Sequence, residues 1–272
     1  MGVQIPKKLV ENYARSIGTL SDRACAAVAD KMAAFTFTDD VAADRQRIQN
    51  LLKASLRPYM DVSVRTTVEF YNIVREWSLG ERLDDGVEVD EVERPDATDG
   101  AVRAFMQQAV DGRPENIAPL LVERTAYELK RSAMEAMLKM GEKDKAKVRF
   151  ARVPNFSKSY GDGCMFCKML ASQGFRYLSY DTADIHVHAD CKCTVVPSFM
   201  SDTVEGYDPD EIGAQWEQEM NDLAEQRADR NGTTPQQEYD NLIKGLRKAS
   251  ARAKERRKME RLKGKTRGNR RS

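Results

Sequence analysis

The chain has 272 residues, 41% of them hydrophobic and 32% charged, with a net charge of +1 and a mean hydropathy of −0.63. That length holds one large or two ordinary domains, and the absence of any run of eighteen apolar residues excludes a transmembrane helix. The N-terminal MGVQIPKKLVENYARS lacks an apolar h-region and a small-residue cleavage site, so no Sec signal is expected and use in a cytoplasm is.

The near-zero net charge conceals an asymmetry. Residues 244–272 hold fourteen Lys/Arg against two Glu, a net of +12, so the preceding 243 residues carry −11. An acidic body with a basic tail is the pattern to explain.

In chain order, residues 5–35 read as a helix, with Val10, Tyr13, Ile17 and Leu20 at three- and four-residue steps. Cys25 lies alone within it and reads as a buried, inert thiol. Thr38, Asp39 and Asp40 supply cap chemistry for a second helix reaching about Trp77, in which Pro58 predicts a kink or a break. Residues 81–100 hold nine acids and two arginines with Gly86 and Pro95, and read as a solvated linker or, more sharply, as a docking strip for a basic partner. Helical periodicity resumes over 100–111 and 116–141, where Leu121, Thr125, Leu129, Ala133 and Met137 recur every fourth residue and Met134, Met137, Leu138 and Met140 read as core.

The pattern changes at VRFARVP (148–154) and TVVPSF (194–199), which read as short strands and turns. Asp208-Pro209 marks a helix start, with Ile212, Trp216, Met220 and Leu223 on its apolar face. Thr234-Pro235-Gln236-Gln237 marks another, with Gln237 in the capping-box position. The predicted fold is α+β and mostly helical: N-terminal helices (1–80), an acidic linker (81–100), more helix (101–145), a small β/turn module (146–200), C-terminal helices (201–246) and a basic, disordered tail (247–272).

Four of the five cysteines and both histidines fall within 164–193. Cys164 and Cys167 are three apart, a spacing that lets two thiolates converge on one ion from a tight turn. Cys191 and Cys193, two apart, face one side of an extended segment, and His188 precedes Cys191 by three. The set Cys164, Cys167, His188, Cys191 and Cys193 offers five ligands for four tetrahedral positions around a structural zinc. Either four thiolates or three with His188 would serve, with His186 a more distant candidate. A disulfide joining the two halves is the rival reading, and a redox or catalytic role a third. A small β region poor in apolar residues would need such a clamp to fold. No HExxH, HxE or GxxxxGK[ST] pattern occurs and no histidine lies outside the cluster, so no catalytic constellation is found.

These residues carry a resemblance. FARVPNFSKSYGDGCMFCKMLASQGFRY and HVHADCKCTVVPSF resemble the Mu F-like minor capsid (head morphogenesis) proteins of tailed bacteriophages, of the type found in phages of actinobacteria. The first motif is met by Arg152-Val153-Pro154, Cys164, Cys167, Met169, Leu170, Ala171, Ser172 and Gly174. The second is met by His188, Cys191, Cys193, Val195, Val196 and Pro197. The resemblance implies a virion component at the portal vertex, in the host cytoplasm during assembly, with the portal and other capsid proteins as partners. It implies help in head assembly or in DNA packaging or ejection.

The tail offers Lys254, Arg256, Arg257, Lys258, Arg261, Lys263, Lys265, Arg267, Arg270 and Arg271 for the phosphates of double-stranded DNA, without aromatic residues for base stacking. It equally suits an acidic protein surface. Alternatives to the virion reading are a zinc-stabilised cytoplasmic nucleic-acid-binding module, and a metal-dependent hydrolase or toxin-like transferase.

Overall fold

A computed structural model describes residues 2–154, 165–178, 193–246 and 248. The chain is mostly helical with a small amount of sheet. In order it forms β1 (Gln4–Ile5), α1 (Lys7–Ala33), α2 (Val41–Leu79), α3 (Val89–Val92), α4 (Pro95–Phe105), α5 (Gln107–Val110), a 3-10 turn (Pro114–Asn116) and α6 (Ile117–Lys143). There follow β2 (Arg149–Val153), α7 (Met165–Ala171), β3 (Thr194–Ser198), β4 (Thr203–Val204), α8 (Pro209–Asn231) and α9 (235–246). Among the described residues no helix is long and apolar enough to cross a membrane.

The long helices α1, α2 and α6 pack on one another pairwise and form the body. Their starts and stops follow the expected chemistry. The Asp40 carboxylate accepts the N–H groups of Ala42 and Ala43, and Gly80 ends α2 in the left-handed region at φ 80°. Pro58 does not break α2. It lies on the exposed face with Ala54, so the Ala54 carbonyl that loses its partner looks toward water.

Two apolar clusters fill the body. One is purely helical and gathers Ala24, Val28, Ile48, Leu52, Leu56, Val102, Ile117, Leu121 and Leu129. The other gathers Val10, Tyr13, Tyr71, Val74, Met137 and Met140 with strand residues Phe150, Val153, Val195 and Val196. α1 runs from the mixed cluster to the helical one, while α2 and α6 run the opposite way. Between the clusters the helices bury Ser21, Ser63 and Ser132. Hydroxyls here and nearby bond back to their own helices, as in Thr125 to the Leu121 carbonyl and Ser132 to the Leu129 carbonyl, both at 2.8 Å.

The acidic stretch 81–100 is not an open linker. Val87, Val89, Val92 and Thr98 are buried, and the segment forms α3 and the start of α4 against α2 and α6. Its acids pair within the chain: Asp90 and Glu93 with Arg57, Glu91 with Lys143, Asp99 with Lys53, and Glu81 with Arg75. Five of its nine acids are thus matched from inside, while Asp84, Asp85 and Glu88 stay exposed. Arg94 reaches Glu135 at 3.0 Å, and the buried Arg131 binds the Val92 carbonyl at 2.8 Å, Glu128 at 2.7 Å and Glu135.

The β/turn module is likewise not a separate knob. β2 and β3 pair antiparallel with Phe150 opposite Pro197 and Val153 opposite Thr194, and β3 packs against α2 and α6. A Cβ on Gly141 of α6 would come within 2.5 Å of the Phe150 ring, so only glycine permits this approach of helix to strand. The expectation that the module lacks enough apolar surface overlooked this shared core.

The chain start is also stitched in. β1 pairs parallel with β4. Asp202 accepts the N–H of Val3 at 2.9 Å, the N–H of Phe199 at 2.8 Å and the hydroxyl of Ser78 at 3.1 Å.

Candidate functional site: the cysteine-bearing strand module

β2 is the centre of the module. Phe150 donates its N–H to Tyr177 at 2.7 Å and accepts the Tyr177 N–H at 3.2 Å. Its backbone polar groups therefore turn away from β3, and Pro197, opposite it, has no ladder bond to donate. A proline is thus tolerated inside a fully buried strand.

α7 carries Cys167 and is held at its C-terminal end. The hydroxyl of Tyr177 donates to the Leu170 carbonyl at 2.6 Å, and that of Tyr207 to the Ala171 carbonyl at 2.5 Å. These carbonyls at the helix end otherwise accept only the longer turn N–H groups of Gln173 and Gly174, at 3.3 Å each. Gly174 follows at φ +59°, with Pro209 of α8 pressed against it at 3.2 Å from where a Cβ would sit. The run Leu170-Ala171-Ser172-x-Gly174 is therefore a helix end docked on the start of α8, whose Asp208 accepts the N–H groups of Asp210 and Glu211. The buried Lys168 adds an ion pair to the half-exposed Glu219 of α8, at 2.5 and 2.7 Å to the two carboxylate oxygens.

Cys167 is buried in the mixed core cluster, and Cys193 is half-buried and packed against the same cluster, one residue ahead of β3. The structure thus brings one cysteine from each half of the predicted ligand set to one core. Cys164, His186, His188 and Cys191 lie outside the described residues, as do all ten candidate basic residues of the tail, Lys254 to Arg271. Among the described residues no group of three or more His, Cys, Asp or Glu side chains is placed to hold a metal ion. Arg152, of the Arg-Val-Pro motif, is the largest fully buried side chain, at 1% exposure. Cys25 stands apart beside the helical cluster. It is half-buried rather than buried, its thiol donating to the Val122 carbonyl at 3.5 Å, and burial is the chief cause that pushes its pKa up and keeps it protonated.

Next to the module lies a buried charge centre that periodicity did not flag. The Asp144 side chain is fully buried and accepts from Tyr71 at 2.8 Å, from Arg75 at 2.8 and 3.4 Å, and from the Ala146 N–H at 2.8 Å. Burial works against its ionised form, but these donors together hold its pKa below the usual aspartate range. Burial and the neighbouring carboxylate push the Tyr71 hydroxyl well up. The centre joins α2, the end of α6 and the entry to β2. The one cue in the sequence is an aspartate where a lysine-rich helix end meets a strand.

The fold and the site together define a mostly helical α+β protein with a cysteine-bearing strand module built into one end of a three-helix body. The family model described as VG15 protein matches residues 4–219, more than half of the chain. The chain belongs to the VG15 protein family, and this membership points to a viral, phage protein. No match is found among curated proteins or among solved structures.

Proposed function

We propose that the protein is a minor structural component of a phage head, associated with the portal vertex and acting by binding. The observation that carries this reading is the family match over 4–219, which includes the module bearing the Mu F-like motifs. The matched span takes in α1 to the first half of α8 and leaves the basic tail outside it. A phage structural protein is compatible with that match. The module's strand pairing, its capped α7 and its shared core suit a rigid attachment element.

In the same reading a structural zinc is held by four of Cys164, Cys167, His188, Cys191 and Cys193. The fit rests on donor chemistry and on Cys167 and Cys193 sharing one core. The ion would cross-link the two segments that flank α7 and precede β3. The tail residues Lys254, Arg256, Arg257, Lys258, Arg261, Lys263, Lys265, Arg267, Arg270 and Arg271 contact the phosphates of duplex DNA during packaging or ejection.

Quantitative mass spectrometry of gradient-purified phage heads tests the reading. The protein is expected at a few copies per particle, together with the portal protein, and particles lacking it should be defective in assembly or DNA delivery. Its absence from heads that are complete and infectious would overturn the proposal.

A further inference from the structure

The segment leaving α6 turns one kind of side chain outward. Lys145, Lys147 and Arg149 are exposed, while Asp144, Val148 and Phe150 are buried and Ala146 packs partly under. The Asp144 centre sets this alternation, because its inward anchor and its bond to the Ala146 N–H fix the phase of the residues that follow. A fourth cation, Arg176, is exposed and adjoins Tyr177, whose backbone bridges to Phe150. Arg149 and Arg176 therefore flank the same bridge.

None of these four side chains has an ion-pair or hydrogen-bond partner among the described residues. Several cations elsewhere on the body are matched, as Lys53, Arg57, Arg75, Arg82 and Lys143 all meet carboxylates. The body is acidic overall, yet no acid is interleaved in the run Lys145-Ala-Lys-Val-Arg149. The acids before it are Asp144, occupied by Arg75 and Tyr71, and the exposed Glu142 on α6.

We propose that Lys145, Lys147, Arg149 and Arg176 form a face on the folded body that contacts the phosphates of duplex nucleic acid. Steps of two residues advance at most about 7 Å each, so the three cations of the run span up to about 14 Å. With one phosphate per roughly 3.4 Å of rise on each strand, that reach covers several phosphates. An acidic protein partner fits less well, since protein interfaces use apolar or aromatic anchors and, among the described residues, only Leu178 is an exposed large apolar side chain here. Single strands fit less well too, because the nearby rings of Phe150 and Tyr177 are buried rather than offered for stacking. The inference deepens the reading of the tail as a DNA contact: Leu246, just ahead of the tail, packs against the same core cluster as Ala146.

Binding of a short duplex, measured by anisotropy across salt concentrations, tests it with four proteins. These are the full chain, the chain lacking 247–272, and each with K145Q, K147Q, R149Q and R176Q. Each lost phosphate contact lowers the slope of log affinity against log salt by about 0.9, so the substitutions should lower it by about 3 to 4 in both backgrounds. The charge-keeping set K145R, K147R, R149K and R176K should restore it. Unchanged slope and affinity on the glutamine substitutions, with the fold intact by circular dichroism, would overturn this face. Loss of binding on tail deletion is read separately and bears on the tail alone. Competition by polyglutamate as effective as duplex at equal charge would also overturn the assignment to nucleic acid.

Discussion

The two ends of the helical body are built differently. At one end Ala24, Leu52, Val102, Leu121 and their neighbours meet helix against helix. At the other, Ile5, Tyr71, Met137, Phe150, Val196 and Ile212 come from six separate elements, and the buried Asp144–Arg75 pair sits at their edge. The helical end is held mainly by apolar burial, with the buried Asp44 and Glu128 paired to Arg47 and Arg131. The mixed end adds buried charge and long-range strand pairing, and it carries the cysteine module and the root of the tail. The region assembled from distant segments is also the one whose integrity depends on single polar contacts.

The sharpest way to break that contrast is to remove a charge. Asp144→Ala leaves Arg75 buried beside an empty place and should cost about 3–5 kcal/mol in denaturant unfolding. Hydrogen exchange should accelerate first in 149–153 and 194–198. Acid should mimic it in part. The folded Asp144 carboxyl titrates below the ordinary value of 3.8, so its contribution is complete above that pH and fades as pH falls through the lower folded value. A pH–stability profile should show this loss in the wild type and lack it in Asp144→Asn.

At the helical end, Leu121→Ala should cost about 2–5 kcal/mol through lost burial and a cavity, with little dependence on pH. If it proved as acid-sensitive as the Asp144 variants, the distinction between the ends would fail. Gly141→Ala probes the seam between body and module. Overpacking against Phe150 should cost about 1–3 kcal/mol and displace β2, seen as a perturbed tyrosine and phenylalanine near-UV signal. Asp208→Ala removes the cap of α8 and should cost about 1 kcal/mol, read from the thermal midpoint. Asp61→Ala, which deletes an exposed pair with Arg65 on α2, should change stability by less than about 0.5 kcal/mol.

The helical end was largely legible beforehand, because Leu121, Thr125, Leu129, Ala133 and Met137 recur at helical steps and all prove buried. The caps at Asp40, Asp208 and Thr234 were legible for the same local reason, the last with reciprocal bonds between Thr234 and Gln237. The mixed end was not. Two-residue strands such as β1 and β4 carry no periodic signal, and pairing of Gln4 with Thr203 depends on the whole intervening fold. Charged letters gave no sign of burial at Glu128, Arg131 and Glu135, which lie buried in mutual contact, and Glu91 and Asp99 of the acidic stretch are matched by cations about fifty residues away in sequence. Of the candidate site, the strands around 149–153 and 194–198 were legible. Attachment of the module to α2 and α6 was not, since it rests on Gly141 making room for one ring.

We propose that a zinc ion clamps the cysteine module at this end of the protein. Zinc content of the full chain, purified under reducing conditions, tests it most directly. About one zinc per chain is expected, with the metal lost when Cys167 and Cys193 are both changed to Ser. A folded wild-type chain carrying essentially no zinc, or the double variant keeping it, would contradict the account.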